Sequence, residues 1–265
     1  MGEAVLHAPD DLKAGDVYRA VVWHLREAGI PYLVGGTYAL EHHAGVRRDT
    51  KDLDLFLRRA DWSRVEETLA AQGVRCDLVF SHWLGKAREN GHFVDLIFAG
   101  GNGLVEVDDE WLAHGVPSVV LDVPVHLVAA EEMIWSKAYV MERERYDGAD
   151  VLHILYKSAR DIDWVRLVRR FAPHPGVLLS HLIMFQFVYA EKHDAIPEWV
   201  MDELWRRARM REPEGPKVCR GTLISREQYL VDVREWGYLD AREMPHGRMT
   251  PQQITEWTNA IWEDK

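Results

Sequence analysis

The stretch DLDLFL, Asp52 to Leu57, alternates carboxylate and hydrocarbon with a period of two. That is the period of a strand, in which residues i and i+2 share a face. An ionised carboxylate is costly to bury without a partner, so the alternation fixes which face meets the core. Leu53 and Leu55 point into a packing partner, and Asp52 and Asp54 project together on the other side. Two carboxylates so close repel each other unless a cation lies between them, and hard oxygen donors suit Mg²⁺ or Mn²⁺. A third acid, Asp95 in HFVDLIF, sits in a similar apolar strand. Three acids converging from two adjacent strands are the elements of a metal-dependent phosphoryl or nucleotidyl transfer site.

A second feature precedes the first. PYLV (Pro31 to Val34) reads as a buried strand, broken by Gly35-Gly36, and TYALEHHA as a short helix. A glycine pair between strand and helix directs backbone N–H groups outward at a helix N-terminus, which is an anion site. Glycine also lets a phosphate approach the backbone closely.

Around these features the pattern predicts a helix from Asp10 and Asp11, as caps, to about Ala28. ADWSRVEETLAAQG predicts another, capped by Asp61 and stopped at Gly73. VRCDLVF, HWLGKA and HFVDLIFAG read as strands, with RENG a hairpin turn before the last. From about Leu127 helical spacing dominates, in LVAAEEMIWSKAYVMERER, GADVLHILYKSA, DWVRLVRRFA, GVLLSHLIMFQFVYAEK and PEWVMDELWRRARM. The fold class is α/β (α+β): a small mixed β-sheet domain with an N-terminal helix over 1–122, then a mainly helical domain over 123–265.

The 265 residues, 47% hydrophobic and 28% charged, suffice for one large domain or two ordinary ones and exclude a disordered chain. The net charge of −11 repels polyanions, which argues against general DNA binding. Cys76 and Cys219 have no CxxC companion, and the N-terminus lacks the pattern of a signal peptide; a reducing cytoplasm is the expectation. GVLLSHLIMFQFVYA (Gly176 to Ala190) is too short to span a bilayer and reads as a buried helix, so no membrane partner is expected.

The order strand, Gly-Gly, helix, then a strand with two acids and a later strand with a third resembles the nucleotidyltransferase fold of the DNA polymerase β superfamily. VGGTYALEHH followed by RRDTKDLDLFL is similar, more closely, to the AbiEii-type nucleotidyltransferases, some of which are toxins of toxin–antitoxin systems. The shared pattern falls on Gly35, Gly36, Thr37, Arg48, Thr50, Asp52 and Asp54. In the helical half, SKAYVMERERYDGADVLHIL matches the family's lysine, arginine-rich stretch and paired acids at Lys137, Arg143, Arg145, Asp147 and Asp150. The resemblance covers roughly residues 30–156.

It implies Mg²⁺- or Mn²⁺-dependent transfer of a nucleoside monophosphate from an NTP to a hydroxyl, with release of pyrophosphate. The acceptor would be a small molecule, a tRNA end or a protein, and the toxin likeness brings in an antitoxin-like protein partner. Asp52, Asp54 and Asp95 would hold metal, with Asp95 also the general base. Gly35, Gly36 and Thr37 would bind the β- and γ-phosphates, and Arg48 and Thr50 belong to the same nucleotide-binding segment. Lys137 would contact the triphosphate, and Asp147 or Asp150 would orient it or the nucleoside. These two acids read equally as helix N-terminal charges. The alternative of a different class is a catalytically silent nucleotide-binding sensor or complex subunit with the same fold.

Other signals read as structure. GGNG (Gly100 to Gly103) lacks the third glycine of a dinucleotide fingerprint. His42 and His43 read as cap or surface residues and His82 and His92 as structural ones. RRARMR (Arg206 to Arg211) is a solvated helix face or an RNA-backbone contact.

Overall fold

The computed structural model describes residues 12–50, 52–210 and 215–262; Asp10, Asp11 and Arg211, to which expectations were attached, lie outside these. The chain divides into two compact units, one of residues up to 42, 46–129 and 251 onward, the other of 43–45 and 130–250.

In the first unit, α1 (Leu12–Glu27) buries Val17, Tyr18, Val21, Val22 and Leu25 as one stripe. The two-residue β1 (Leu33–Val34) leads into α2 (Gly36–Ala44) and then β2 (Leu53–Phe56). Next come α3 (Trp62–Ala70) and three strands, β3 (Arg75–Phe80), β4 (Leu84–Glu89) and β5 (His92–Ile97). The short α4 (Asp109–Ala113) precedes a hairpin of β6 (Val116–Val120) and β7 (Val123–Leu127). These strands form one seven-stranded sheet in the order β3-β4-β5-β2-β1-β7-β6. It is mixed: β2 runs parallel to β5 and β1 to β7, and the other neighbours are antiparallel. α1 packs against β5 and β7, and α3 against β3. The α/β class and the mixed sheet are thus as the sequence pattern implies.

Two local expectations fail. Asp61 does not cap α3 with its side chain; its carboxylate instead accepts from Arg58 Nε at 2.8 Å. The β6–β7 hairpin is absent from the sequence reading because Pro117 and Pro124 argue against strands. Both are tolerated here. β1 is too short to reach Pro124, and pairs with β7 only through Val34 and Leu127. The boundary expected at 122/123 falls in the turn of this hairpin, whereas the contacts divide the chain at 129/130.

The second unit holds α5 (Ala130–Lys137), α6 (Gly148–Ser158), α7 (Trp164–Arg170), α8 (Pro175–Val188) and α9 (Glu198–Ala208). A parallel pair, β8 (Val218–Cys219) and β9 (Leu239–Asp240), flanks α10 (Leu230–Arg234). The helix expected to continue through Arg145 stops at Lys137, and the chain reverses through a bridge between Met141 and Tyr146. α8 is buried on one face only: Leu178, Leu179, Leu182 and Phe185 are inside, while Ile183, Met184 and Phe187 are exposed. Its hydrocarbon runs all round the helix, so its residue pattern carries no sidedness. No helix among the described residues is long and apolar enough to cross a membrane. The chain then returns to the first unit with α11 (Pro251–Asn259), whose Trp257 meets Phe80 and Trp83 edge-on.

A buried ion cluster joins α5 to α7. Arg166 contacts both Glu131 and Glu132, and all three are at most 6% exposed. Burial pushes the Glu132 carboxyl upward and the Arg166 hydrogen bond opposes it. Removing one member of such a cluster leaves uncompensated buried charge. Arg166→Met is expected to lower the unfolding free energy by about 3–5 kcal/mol in urea denaturation. Adding Glu132→Leu is expected to restore part of that loss; a single variant as stable as the parent would contradict the account.

Candidate active site

The sheet register builds the site. β2 and β5 place Asp54 directly opposite Asp95, and β4 places Lys86 directly opposite Asp95 from the other side. Residues opposite one another share a face, so Lys86, Asp95 and Asp54 form a row across three neighbouring strands. Alternation does the rest. Leu53, Leu55, Ala87, Val94 and Leu96 are fully buried, while Asp52, Asp54, Lys86 and Asp95 keep partial exposure.

Each acid has a distinct environment. Asp54 lies against the start of α2: Gly35 N–H donates to the Asp54 carbonyl at 2.9 Å, and Ala39 N–H donates to the Gly35 carbonyl at 3.2 Å. A Cβ added at Gly36 would sit 1.9 Å from Asp54 Oδ2, so the carboxylate touches the first residue of the helix. Gly36 also has φ +54°, a conformation disfavoured for side chains. The opening N–H groups of a helix have no acceptor within it, and Gly36 and Thr37 supply two of them here. Asp52 is oriented by Thr50, whose hydroxyl lies 2.6 Å from the Asp52 carbonyl and 3.1 Å from Oδ1. Thr50 therefore acts on Asp52.

Asp95 Oδ1 lies 2.7 Å from Lys86 Nζ. Burial raises the Asp95 carboxyl above its ordinary range, the Lys86 contact pulls it back, and the neighbouring Asp52 charge adds to the rise. Lys86 is the site residue that sequence reading missed.

The donor chemistry of Asp52 and Asp54 fits a hard divalent ion: two carboxylates on one face, one held by a threonine and the other at a helix N-terminus. Among the described residues no three His, Cys, Asp or Glu side chains converge into a metal cage. An ion on Asp52 and Asp54 would complete its shell with oxygens from water or a phosphate, as Mg²⁺ commonly does.

The remaining candidates lie elsewhere or act differently. Arg48 is exposed in the loop after α2. Lys137, Asp147 and Asp150 belong to the second unit, where Lys137 Nζ is 3.2 Å from Asp147 Oδ2 and 2.8 Å from Asp150 Oδ2. Burial raises the Asp147 carboxyl, but the Arg145 hydrogen bonds and the Lys137 charge outweigh it and leave it below the usual range. Both acids also sit at the start of α6, the position in which negative charge suits a helix N-terminus. GGNG forms a turn closed by Gly103 N–H to the Gly100 carbonyl. Arg206 and Arg207 both donate to Glu203.

The Gly36 contact yields a direct test. Gly29 has φ +62° with nothing near an added Cβ, whereas Gly36 has a similar φ and Asp54 in the way. Gly29→Ala is expected to cost about 1–2 kcal/mol for the left-handed conformation alone. Gly36→Ala is expected to cost more in chemical denaturation, and equal losses would show that Asp54 does not press on the helix start.

Residues 14–172 match the family model described as "Nucleotidyl transferase of unknown function (DUF2204)". No curated protein matches. Among solved structures the chain is similar to the antibiotic-resistance factor ANT(2'')-Ia, at 16% identity and TM-score 0.44, covering 69% of this chain and 97% of that one. It is similar to an antigenic nucleotidyltransferase-like protein from Paracoccidioides brasiliensis, at 16% identity and TM-score 0.42, covering 71% and 93%. It is also similar to the lincosamide antibiotic adenylyltransferase LnuA with lincomycin bound, at 12% identity and TM-score 0.39, covering 54% and 96%. The family match takes in β1 to β7 and the acid-bearing face of the sheet, and the chain belongs to this nucleotidyl transferase family.

Proposed function

We propose that the chain transfers a nucleoside monophosphate from an NTP to a hydroxyl of a small molecule, releasing pyrophosphate. The observation that carries this reading is the position of Asp54, with its carboxylate against the first residue of α2 and Asp95 directly across the strands. A phosphate-binding helix start, metal-binding carboxylates and a general base then share one sheet face.

The Gly36 and Thr37 N–H groups would hold phosphate oxygens of the triphosphate. Asp52 and Asp54 would hold a divalent ion that, when bound, neutralises phosphate charge. The acceptor hydroxyl oxygen bonds to the α-phosphorus, and the bond from that phosphorus to the α–β bridging oxygen breaks. Pyrophosphate leaves with that electron pair, and Asp95 takes the hydroxyl proton. Thr50 keeps Asp52 in position. Lys137 is assigned to nucleotide contact on the strength of the family resemblance, with Asp147 and Asp150 setting its ammonium.

The acceptor follows from charge. A chain of net charge −11 offers little to a polyanion, and of the three described arginines in RRARMR, Arg206 and Arg207 are already bonded to Glu203 and Arg209 lies over the Trp205 ring. A small hydroxyl compound is therefore favoured over an RNA end, and no observation on this chain supports an antitoxin-like partner.

The test is incubation with Mg²⁺ and each α-³²P-labelled NTP, with a metabolite extract, total tRNA, or neither. Label is expected in a small molecule, with a loss of at least about a thousandfold on Asp52→Asn/Asp54→Asn and on Asp95→Asn. Label in tRNA or on the protein itself would overturn the acceptor assignment. NTP-induced stabilisation with no transfer to any acceptor would favour the silent sensor instead.

A further inference from the structure

We propose that Lys86 is a built-in cation of this site, standing where a second metal ion would otherwise meet Asp95, so that the site takes one divalent ion, on Asp52 and Asp54. The inference rests on the nucleotidyl-transfer reading and deepens it.

The position of Lys86 is set by backbone and side chain together. Asn90 and Gly91 both have positive φ and close a two-residue turn, which puts Glu89 opposite His92 and Lys86 opposite Asp95. The ammonium lies 2.7 Å from Asp95 Oδ1 and 3.8 Å from the centre of the Phe93 ring. Phe93 is two residues before Asp95 on the same strand, so ring and carboxylate flank the ammonium from one face. The Lys86 and Asp95 side chains are only 18% and 16% exposed. A lysine at a sheet surface ordinarily extends its head group into water. This one is held down by an ion pair and a cation–π contact.

Its placement has a chemical consequence. A metal–oxygen bond to Mg²⁺ is about 2.0–2.1 Å long, and an ammonium touching the same oxygen competes with it both for space and for charge. Among the described residues a second cation acting on Asp95 is Arg88, whose Nε is 3.3 Å from Asp77 Oδ2. Lys86 thus does for Asp95 what a second ion would do, compensating its charge beside Asp52 and Asp54. It does so without coordinating the carboxylate, which keeps an oxygen to accept the proton of the incoming hydroxyl. Lys86 is a positioning residue that acts through Asp95.

Equilibrium dialysis against Mn²⁺, with α,β-methylene analogues of the four NTPs, reads the number of ions directly and needs no turnover. The parent chain is expected to bind one Mn²⁺, and Lys86→Met and Lys86→Gln two. Lys86→Arg, which keeps the charge, is expected to bind one. Should the uncharged Lys86 variants fail to fold, Asp95→Asn decides: Mn²⁺ affinity within about twofold of the parent supports the inference, and a loss of about tenfold or more overturns it. Two ions on the parent chain, or one ion on a folded Lys86→Met chain, also overturn it while leaving the nucleotidyl-transfer reading intact. No bound Mn²⁺ with any analogue removes that reading and this inference together.

Discussion

The parallel pairing of β2 with β5 is the constraint on which the site depends. It sets Asp54 and Asp95 opposite one another and, through the same register, sets Leu53 with Val94 and Leu55 with Leu96 in the core. A slip of one residue would bury the acids and expose the leucines, so hydrophobic burial on one face enforces carboxylate convergence on the other. That convergence is unfavourable by itself. The structure meets it with a helix start beside Asp54, a hydroxyl on Asp52 and an ammonium on Asp95.

Those three devices differ in what they leave open. A hydroxyl orients a carboxylate without cancelling its charge, and a helix start offers partial positive charge to the carboxylate and to a bound phosphate alike. Lys86 cancels the charge at Asp95. On the proposed reading a divalent ion would therefore be held by Asp52 and Asp54, next to the Gly36 backbone where a triphosphate would lie. On that reading the distribution of charge would separate a place for the nucleotide from a place for the proton, although the groups share one sheet face.

Much of this was legible in the sequence. The period-two alternation of DLDLFL and HFVDLIF fixes which residues face the core, and Gly35-Gly36 marks the helix start. Even Lys86 was within reach: a two-residue Asn-Gly turn sets the register of its hairpin, and counting four residues away from the turn on each strand brings Lys86 to Asp95. The rest was hidden for physical reasons. Pro117 and Pro124 obscured β6 and β7, because a proline is tolerated only where no neighbour needs its N–H. The end of α5 at Lys137 carries no glycine or proline; the reversal after it is closed by backbone bonds and by carboxylates ten or more residues on. Neither is a local signal. The domain division followed the change from strand to helix pattern, whereas the last residues return to the first unit through contacts such as Trp257 against Trp83.

The most direct test of the account is the anomalous scattering of manganese in crystals grown with Mn²⁺ and a non-hydrolysable NTP analogue. The account predicts manganese bonded to Asp52 and Asp54, with a phosphate of the analogue on the Gly36 and Thr37 N–H groups. An analogue bound away from the start of α2, or manganese in contact with neither aspartate, would contradict it.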